Sequence, residues 1–166
     1  GLKISDPYKI ETDKGEAEGL GLLPVETVLE KDKVTVQAEA VSLMDGMRVS
    51  GYEIHMGRTG GAVNKINPAF KIVKRGKERV NTEDGAVSID GRVFGTYIHG
   101  LFDSDEFRQS FINRLRVKKG FSPSYSKSRH SEAKEEAFDR LATIVRESLD
   151  IERIYELAGI YNRVSP

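Results

Sequence analysis

A mixed β-sheet followed by carboxy-terminal helices is the architecture that this sequence predicts. By order of elements alone it is an α+β chain, or the later half of an α/β sheet whose opening strands lie elsewhere. Two observations carry the prediction. Short runs of alternating apolar residues, broken by glycine-containing turns, fill residues 26–98, and apolar stripes at helical spacing fill residues 104–157. A third is Asp90-Gly91, the strongest short hairpin signal in the chain.

The elements follow in order. Residues 5–24 are rich in Gly, Glu, Asp and Lys and contain Pro7 and Pro24, so they read as a mostly irregular surface segment. Gly19-Leu20-Gly21-Leu22-Leu23 would tuck one end of it down. Across residues 26–41, Val34, Val36, Ala38 and Ala40 alternate with Thr35, Gln37 and Glu39, which gives one buried strand face. Lys31-Asp32-Lys33 reads as a turn between two antiparallel strands. Residues 49–57 form the next strand, with Tyr52, Ile54 and Met56 on one face and Glu53 and His55 on the other. A break is expected at Gly57, Gly60 and Gly61. Residues 69–74 and 77–80 pair through Gly76, and residues 86–89 and 92–98 flank Asp90-Gly91.

Helices take over from there. Asp103 or Ser104 can cap the first, with Glu106 as the acidic residue of a capping box. Phe107, Phe111, Ile112 and Leu115 make its stripe, and Gly120 ends it. Residues 122–130 are a polar, basic connection. Ser131 can cap a helix whose stripe is Ala137, Phe138, Leu141, Ile144, Val145 and Leu149. Asp150 can cap a short last helix that Gly159 stops.

Composition narrows the function classes. The chain has 166 residues, 38% apolar and 31% charged, enough for a core and suited to one domain or at most two small ones. Its 26 Lys and Arg balance 26 Asp and Glu, which argues against a broad electrostatic footprint for nucleic acid or an anionic membrane. No uncharged apolar stretch approaches the ~20 residues that cross a bilayer. No basic start with an apolar run and cleavage site is visible, so a cytoplasmic location is expected. Cysteine is absent, which excludes disulfides, thiolate metal sites and a cysteine nucleophile within these residues.

The chemistry rests on three histidines. His99 stands where a strand ends and a loop leads to a helix, a position that suits a general base; a structural histidine bonded to a backbone carbonyl is the alternative. His55 shares a strand face with Glu53, close enough to couple or to share a ligand, or simply to form a polar face that packs on a neighbour. Two ligands at this spacing do not make a zinc site. His130 lies beside Lys127 and Arg129 and reads as a solvated loop residue. Gly57-Arg58-Thr59-Gly60-Gly61 lacks both the ending of a P-loop and the spacing of a dinucleotide fingerprint.

Two motifs are more specific. Gly51-Tyr52-Glu53-Ile54-His55-Met56-Gly57-Arg58-Thr59 and Gly95-Thr96-Tyr97-Ile98-His99-Gly100-Leu101-Phe102-Asp103, in this order, resemble the carboxy-terminal glutamine amidotransferase domain of the cobyrinic/cobyric acid synthase family. Gly19-Leu20-Gly21-Leu22-Leu23-Pro24 upstream and the helix of residues 107–115 support the match, which covers nearly the whole chain. The resemblance implies a flavodoxin-like α/β fold. It implies a cysteine thiolate that attacks the side-chain amide of glutamine, with His99 as the proton-transfer partner. It further implies that ammonia passes to a synthetase domain using ATP and Mg²⁺. There it would amidate a corrinoid, adenosylcobyrinic acid a,c-diamide, to adenosylcobyric acid in cobalamin synthesis. The relative that amidates the a and c carboxylates, and a non-catalytic module derived from such a domain, are the alternatives.

The sequence departs from the family pattern twice. Many class I amidotransferases carry an orienting glutamate two residues after the catalytic histidine, and here that residue is Leu101. A Cys–His dyad or an orienting group from elsewhere is therefore implied, with Glu53 a candidate by position and His55 beside it. The family's cysteine elbow is also missing, and Gly1 aligns with its last glycine, so Gly1 reads as a cut. On that reading residues 1–166 are the carboxy-terminal portion of the glutaminase domain, holding no cofactor and inactive alone. They would be prone to self-association through a truncated face.

Overall fold

The computed structural model describes residues 1–61, 66–125 and 130–160, and of His130 and Ser131 the backbone alone. The capping role expected of Ser131 and the basic residues Lys127 and Arg129 fall outside the described part. The chain divides into two compact units, Gly1–Tyr125 and Ser126–Pro166.

The first unit begins with two short strands, β1 (Lys3–Ser5) and β2 (Glu16–Glu18), within the stretch expected to be irregular. The loop between them is organised by Asp6, which is buried and accepts hydrogen bonds from the backbone N–H groups of Ile10, Glu11 and Thr12 at 2.8, 2.8 and 3.0 Å. Burial alone would raise its pKa, but the backbone donors outweigh that and hold it below the usual aspartate value. Of the leucines expected to tuck down nearby, Leu23 is buried while Leu20 and Leu22 are exposed.

Two long strands, β3 (Val25–Ser42) and β4 (Arg48–Gly61), form a bent antiparallel hairpin that organises the sheet. The alternation read in residues 34–40 is correct, since Ala38 and Ala40 are buried. Two expected interruptions are absent. Lys31-Asp32-Lys33 is not a turn: the register shifts between Leu29 and Val34 and the strand continues. All three side chains are exposed there, so a bulge accommodates the charge without breaking the strand. The glycines at 57, 60 and 61 do not break β4 either, because Gly57, Gly60 and Gly61 pair with Leu29, Glu26 and Val25.

β5 (Phe70–Arg75) and β6 (Glu78–Asp84) form the expected pair around Gly76, and β5 also pairs with the far half of β3. β7 (Ala86–Val87) and β8 (Phe94–Gly95) flank the Asp90-Gly91 turn as expected, but they are shorter than the sequence suggests. The chain leaves that hairpin at Thr96, and β9 (Ile98–His99) pairs with β4 instead. β1 runs parallel to β3 and the other named pairs are antiparallel, so the sheet is mixed.

A short 3₁₀ turn (Leu101–Asp103) leads into α1 (Asp105–Lys118), with Ser104 as the N-cap. Phe107 is fully buried against Phe70, with ring centroids 5.9 Å apart, and together with Ile72, Val49 and Ile98 it closes the core between sheet and helix. The rest of the α1 stripe is less covered than its spacing suggests, for Ile112 and Leu115 remain 43% and 50% exposed.

The second unit contains α2 (His130–Ser148) and α3 (Ile151–Leu157). His130 opens α2 and is not the loop residue expected. Asp150 caps α3 as expected, accepting from the N–H of Arg153 at 2.9 Å. The α2 stripe has the helical spacing read from sequence, yet Phe138, Leu141, Ile144 and Leu149 are all exposed. No described helix is long and apolar enough to cross a membrane.

Candidate active site

The backbone places His99 by three constraints. Tyr52 pairs with His99 and Glu53 with Ile98 in the β4–β9 ladder, and the N–H of Ile54 donates to the carbonyl of Tyr97 at 3.0 Å. Ile98 is buried and anchors the two-residue strand from inside. Gly51 lets β9 come this close, because a Cβ there would stand 2.0 Å from the His99 carbonyl oxygen. Gly100 then adopts φ 83°, the left-handed conformation that turns the chain into the 3₁₀ segment. His99 itself is exposed and lines a recess of about 300 Å³ with Gln37, Ser50, Tyr52, Lys74 and Asp103.

Glu53 and His55 lie elsewhere. The pleat of β4 sends Tyr52 to one face and Glu53 and His55 to the other, and His99 shares the register of Tyr52. The polar face is also the covered one, reversing the usual expectation for an alternating strand. Glu53 is 3% exposed while Tyr52 is 51% exposed. Glu53 is held by Arg75, whose Nε and Nη2 donate to its two oxygens at 2.6 and 2.8 Å. That bidentate bond raises the pKa of Arg75. His55 Nε2 stands 3.3 Å from Glu53 Oε1, and its Nδ1 donates to the Gly57 carbonyl at 2.8 Å. Glu53, the candidate to orient the His99 ring, therefore has both oxygens engaged by Arg75 and His55.

The His55 ring stacks on Tyr97, with centroids 4.4 Å apart. The Tyr97 hydroxyl bonds that of Thr59, which in turn bonds Thr27 at 2.7 Å. Asp84 adds a second buried carboxylate. Burial pushes its pKa up, against the pull of its donors, the Thr96 hydroxyl and the Tyr97 N–H. These groups share a cleft of about 760 Å³.

Sequence reasoning brought Glu53 and His55 together correctly but missed Arg75, Asp84 and Tyr97. Tyr97 had a visible signal, since it stands two residues before His99 in the quoted motif. Arg75 had none, because it meets Glu53 through the pairing of β5 and β4 with β3. Among the described residues no three His, Cys, Asp or Glu side chains gather to hold a metal ion. Gly57-Arg58-Thr59-Gly60-Gly61 is paired strand.

Comparison with known proteins adds the family. Residues 1–107, which include both histidine motifs and the whole β4–β9 ladder, match the CobB/CobQ-like glutamine amidotransferase domain. The chain belongs to this family. The CobB/CobQ-like chain is 47% identical over 170 residues to cobyric acid synthase of Caldanaerobacter subterraneus, covering 97% of this chain and 33% of that protein. It is 49% identical over 162 residues to cobyric acid synthase of Clostridium botulinum, covering 96% and 32%. To cobyric acid synthase of a Thermoanaerobacter species it is 44% identical over 170 residues, covering 97% and 33%. It spans about a third of the length of the curated relatives it matches.

Proposed function

We propose that this chain supplies the histidine of the glutaminase site in a cobyric acid synthase. One observation carries the reading: His99, in the family's Tyr-Ile-His-Gly motif, is exposed at the end of β9 over a polar recess, with its backbone fixed on both sides.

The chemistry then divides between this chain and residues outside it. The chain has no cysteine, so the thiolate comes from elsewhere. That thiolate attacks the amide carbon of glutamine, and the C=O π electrons move to oxygen to give a tetrahedral intermediate. As C=O re-forms, the C–N bond breaks with its electrons on nitrogen, which takes a proton from the His99 imidazolium. Ammonia leaves and a thioester remains. His99, now neutral, takes a proton from water as the water attacks the thioester, and glutamate is released. The β4–β9 register and the Gly100 turn fix the backbone that carries the ring, and Leu101 offers no carboxylate to orient it. Glu53 and His55 act from the opposite face by fixing Tyr97, two residues before His99.

The ammonia is used to amidate adenosylcobyrinic acid a,c-diamide to adenosylcobyric acid. ATP and Mg²⁺ serve that second reaction, and no described residue of this chain is assigned to them. The isolated chain is expected to release no ammonia from glutamine. A cobyric acid synthase carrying this chain as its matching third, given glutamine labelled with ¹⁵N in the side-chain amide, is expected to place the label in the new corrinoid amides. Product that forms from glutamine without label would overturn the reading.

A further inference from the structure

We propose that Thr96, gripped by the buried carboxylate of Asp84, is the positioning residue that sets where His99 stands. The proposal rests on the reading of His99 as the proton-transfer group.

The Thr96 hydroxyl makes two bonds. It donates to Asp84 Oδ2 and accepts from the N–H of Ile98 at 3.0 Å. The second bond is a local turn of the kind Thr favours, and it bends the chain out of the β7–β8 hairpin toward β4. Without that bend residues 92–98 would continue as the one strand read from the sequence. His99 is the next residue after Ile98, so the angle of this turn decides where the imidazole emerges.

Asp84 is an unusual group to find here. It is 7% exposed and, among the described residues, in no salt bridge, so Arg75 and His55 attract it only from across the cleft. A buried carboxylate with no salt bridge is costly and is kept only where its hydrogen bonds compensate. Both donors named for it, the Thr96 hydroxyl and the Tyr97 N–H, belong to the turn that launches His99. Its own backbone is rigid: Asp84 pairs with the fully buried Phe70, and its carbonyl accepts from the N–H of Ala69 at 3.2 Å. Gly85 follows at φ 72°, and a Cβ there would stand 2.1 Å from the Gly95 carbonyl oxygen, so the two strands meet with no slack. The carboxylate therefore transmits the position of the core strand β6 to the turn. Tyr97 is pinned on its far side by the His55 stack and the Thr59 hydroxyl.

The test uses a cobyric acid synthase carrying this chain. Thr96→Val removes the hydroxyl at nearly constant volume. It is expected to lower kcat of the glutamine-dependent reaction on the order of tenfold, with KM for glutamine and the ammonia-dependent rate within about twofold of wild type. Thr96→Ser restores the hydroxyl and is expected to recover kcat to within about twofold. In the His99→Asn background Thr96→Val should add no further loss, because both act through one group. A wild-type kcat in Thr96→Val, no recovery with Ser, or an additive loss in the double variant would each overturn the proposal. Failure of the His99 reading shows separately, as full glutamine-dependent activity in His99→Asn alone. Should Thr96→Val not fold, Asp84→Asn keeps one acceptor oxygen and is expected to lower kcat about threefold with KM unchanged. A kcat at or above wild type in that variant overturns the proposal.

Discussion

Gly51→Ala is expected to lift β9 from β4 and to slow glutamine-dependent amidation on the order of a hundredfold. The cause is a single methyl group. Its carbon would sit 2.0 Å from the His99 carbonyl oxygen and 3.0 Å from Cγ2 of Ile98. The first contact is with backbone, which cannot rotate away as a side chain can, so the two-residue strand must move. Overpacking of this kind costs about 1–3 kcal/mol of stability. The larger effect is on rate, because the displaced atom belongs to His99 itself. Gly60→Ala is the matched control. It lies on the same strand with nothing within 4 Å of the added carbon, and it should leave rate and stability unchanged. Kinetics with glutamine and with ammonia, beside a denaturation midpoint, separate the two effects. A Gly51→Ala enzyme with wild-type glutamine kinetics would contradict the close approach of β9.

Arg75→Ala is expected to destabilise the first unit by about 3 kcal/mol, because it leaves a buried carboxylate without its cation. Glu53 is 3% exposed and takes both of its short hydrogen bonds from Arg75. His55, at 3.3 Å, is the remaining partner. Removing the charge should recover much of the loss, so Arg75→Ala with Glu53→Gln is expected to be more stable than Arg75→Ala alone. Urea midpoints at constant slope measure both. Arg75→Lys is not a neutral exchange here, since a single ammonium cannot reproduce the two parallel bonds. A double variant no more stable than Arg75→Ala would show that the charge of Glu53 is not what the arginine compensates.

Much of this fold was legible because local chemistry and tertiary structure agreed. Gly76 and Asp90-Gly91 mark turns whose backbone needs left-handed angles, and both turns form there. Asp150 and Gly159 bound α3 for similarly local reasons. The misreadings arose where sheet pairing overrode a local signal. Lys31-Asp32-Lys33 has turn composition, but pairing with β4 on either side carries the strand through as a bulge. Gly57 reads as a breaker, yet it fills a place where a Cβ would stand 2.7 Å from the Val28 carbonyl, so it permits pairing there. Thr96 lies within the run 92–98 that reads as one strand, and nothing local reveals that Asp84 will capture its hydroxyl.

The site divides the same way. His99 was visible because its motif is contiguous and its place after a strand is a sequence property. The partnership of Glu53 with His55 was visible because a strand has period two. What surrounds them was not. Arg75 and Asp84 come from strands β5 and β6, and the burial of Glu53 reverses the rule that the apolar face of a strand is the covered one.

The most direct measurement compares two nitrogen sources in a cobyric acid synthase carrying this chain with His99→Asn. The account predicts that glutamine-dependent amidation falls by at least about a hundredfold while ammonia-dependent amidation stays within about twofold of wild type. Glutamine-dependent turnover that survives the substitution, or an equal loss with both nitrogen sources, would contradict it.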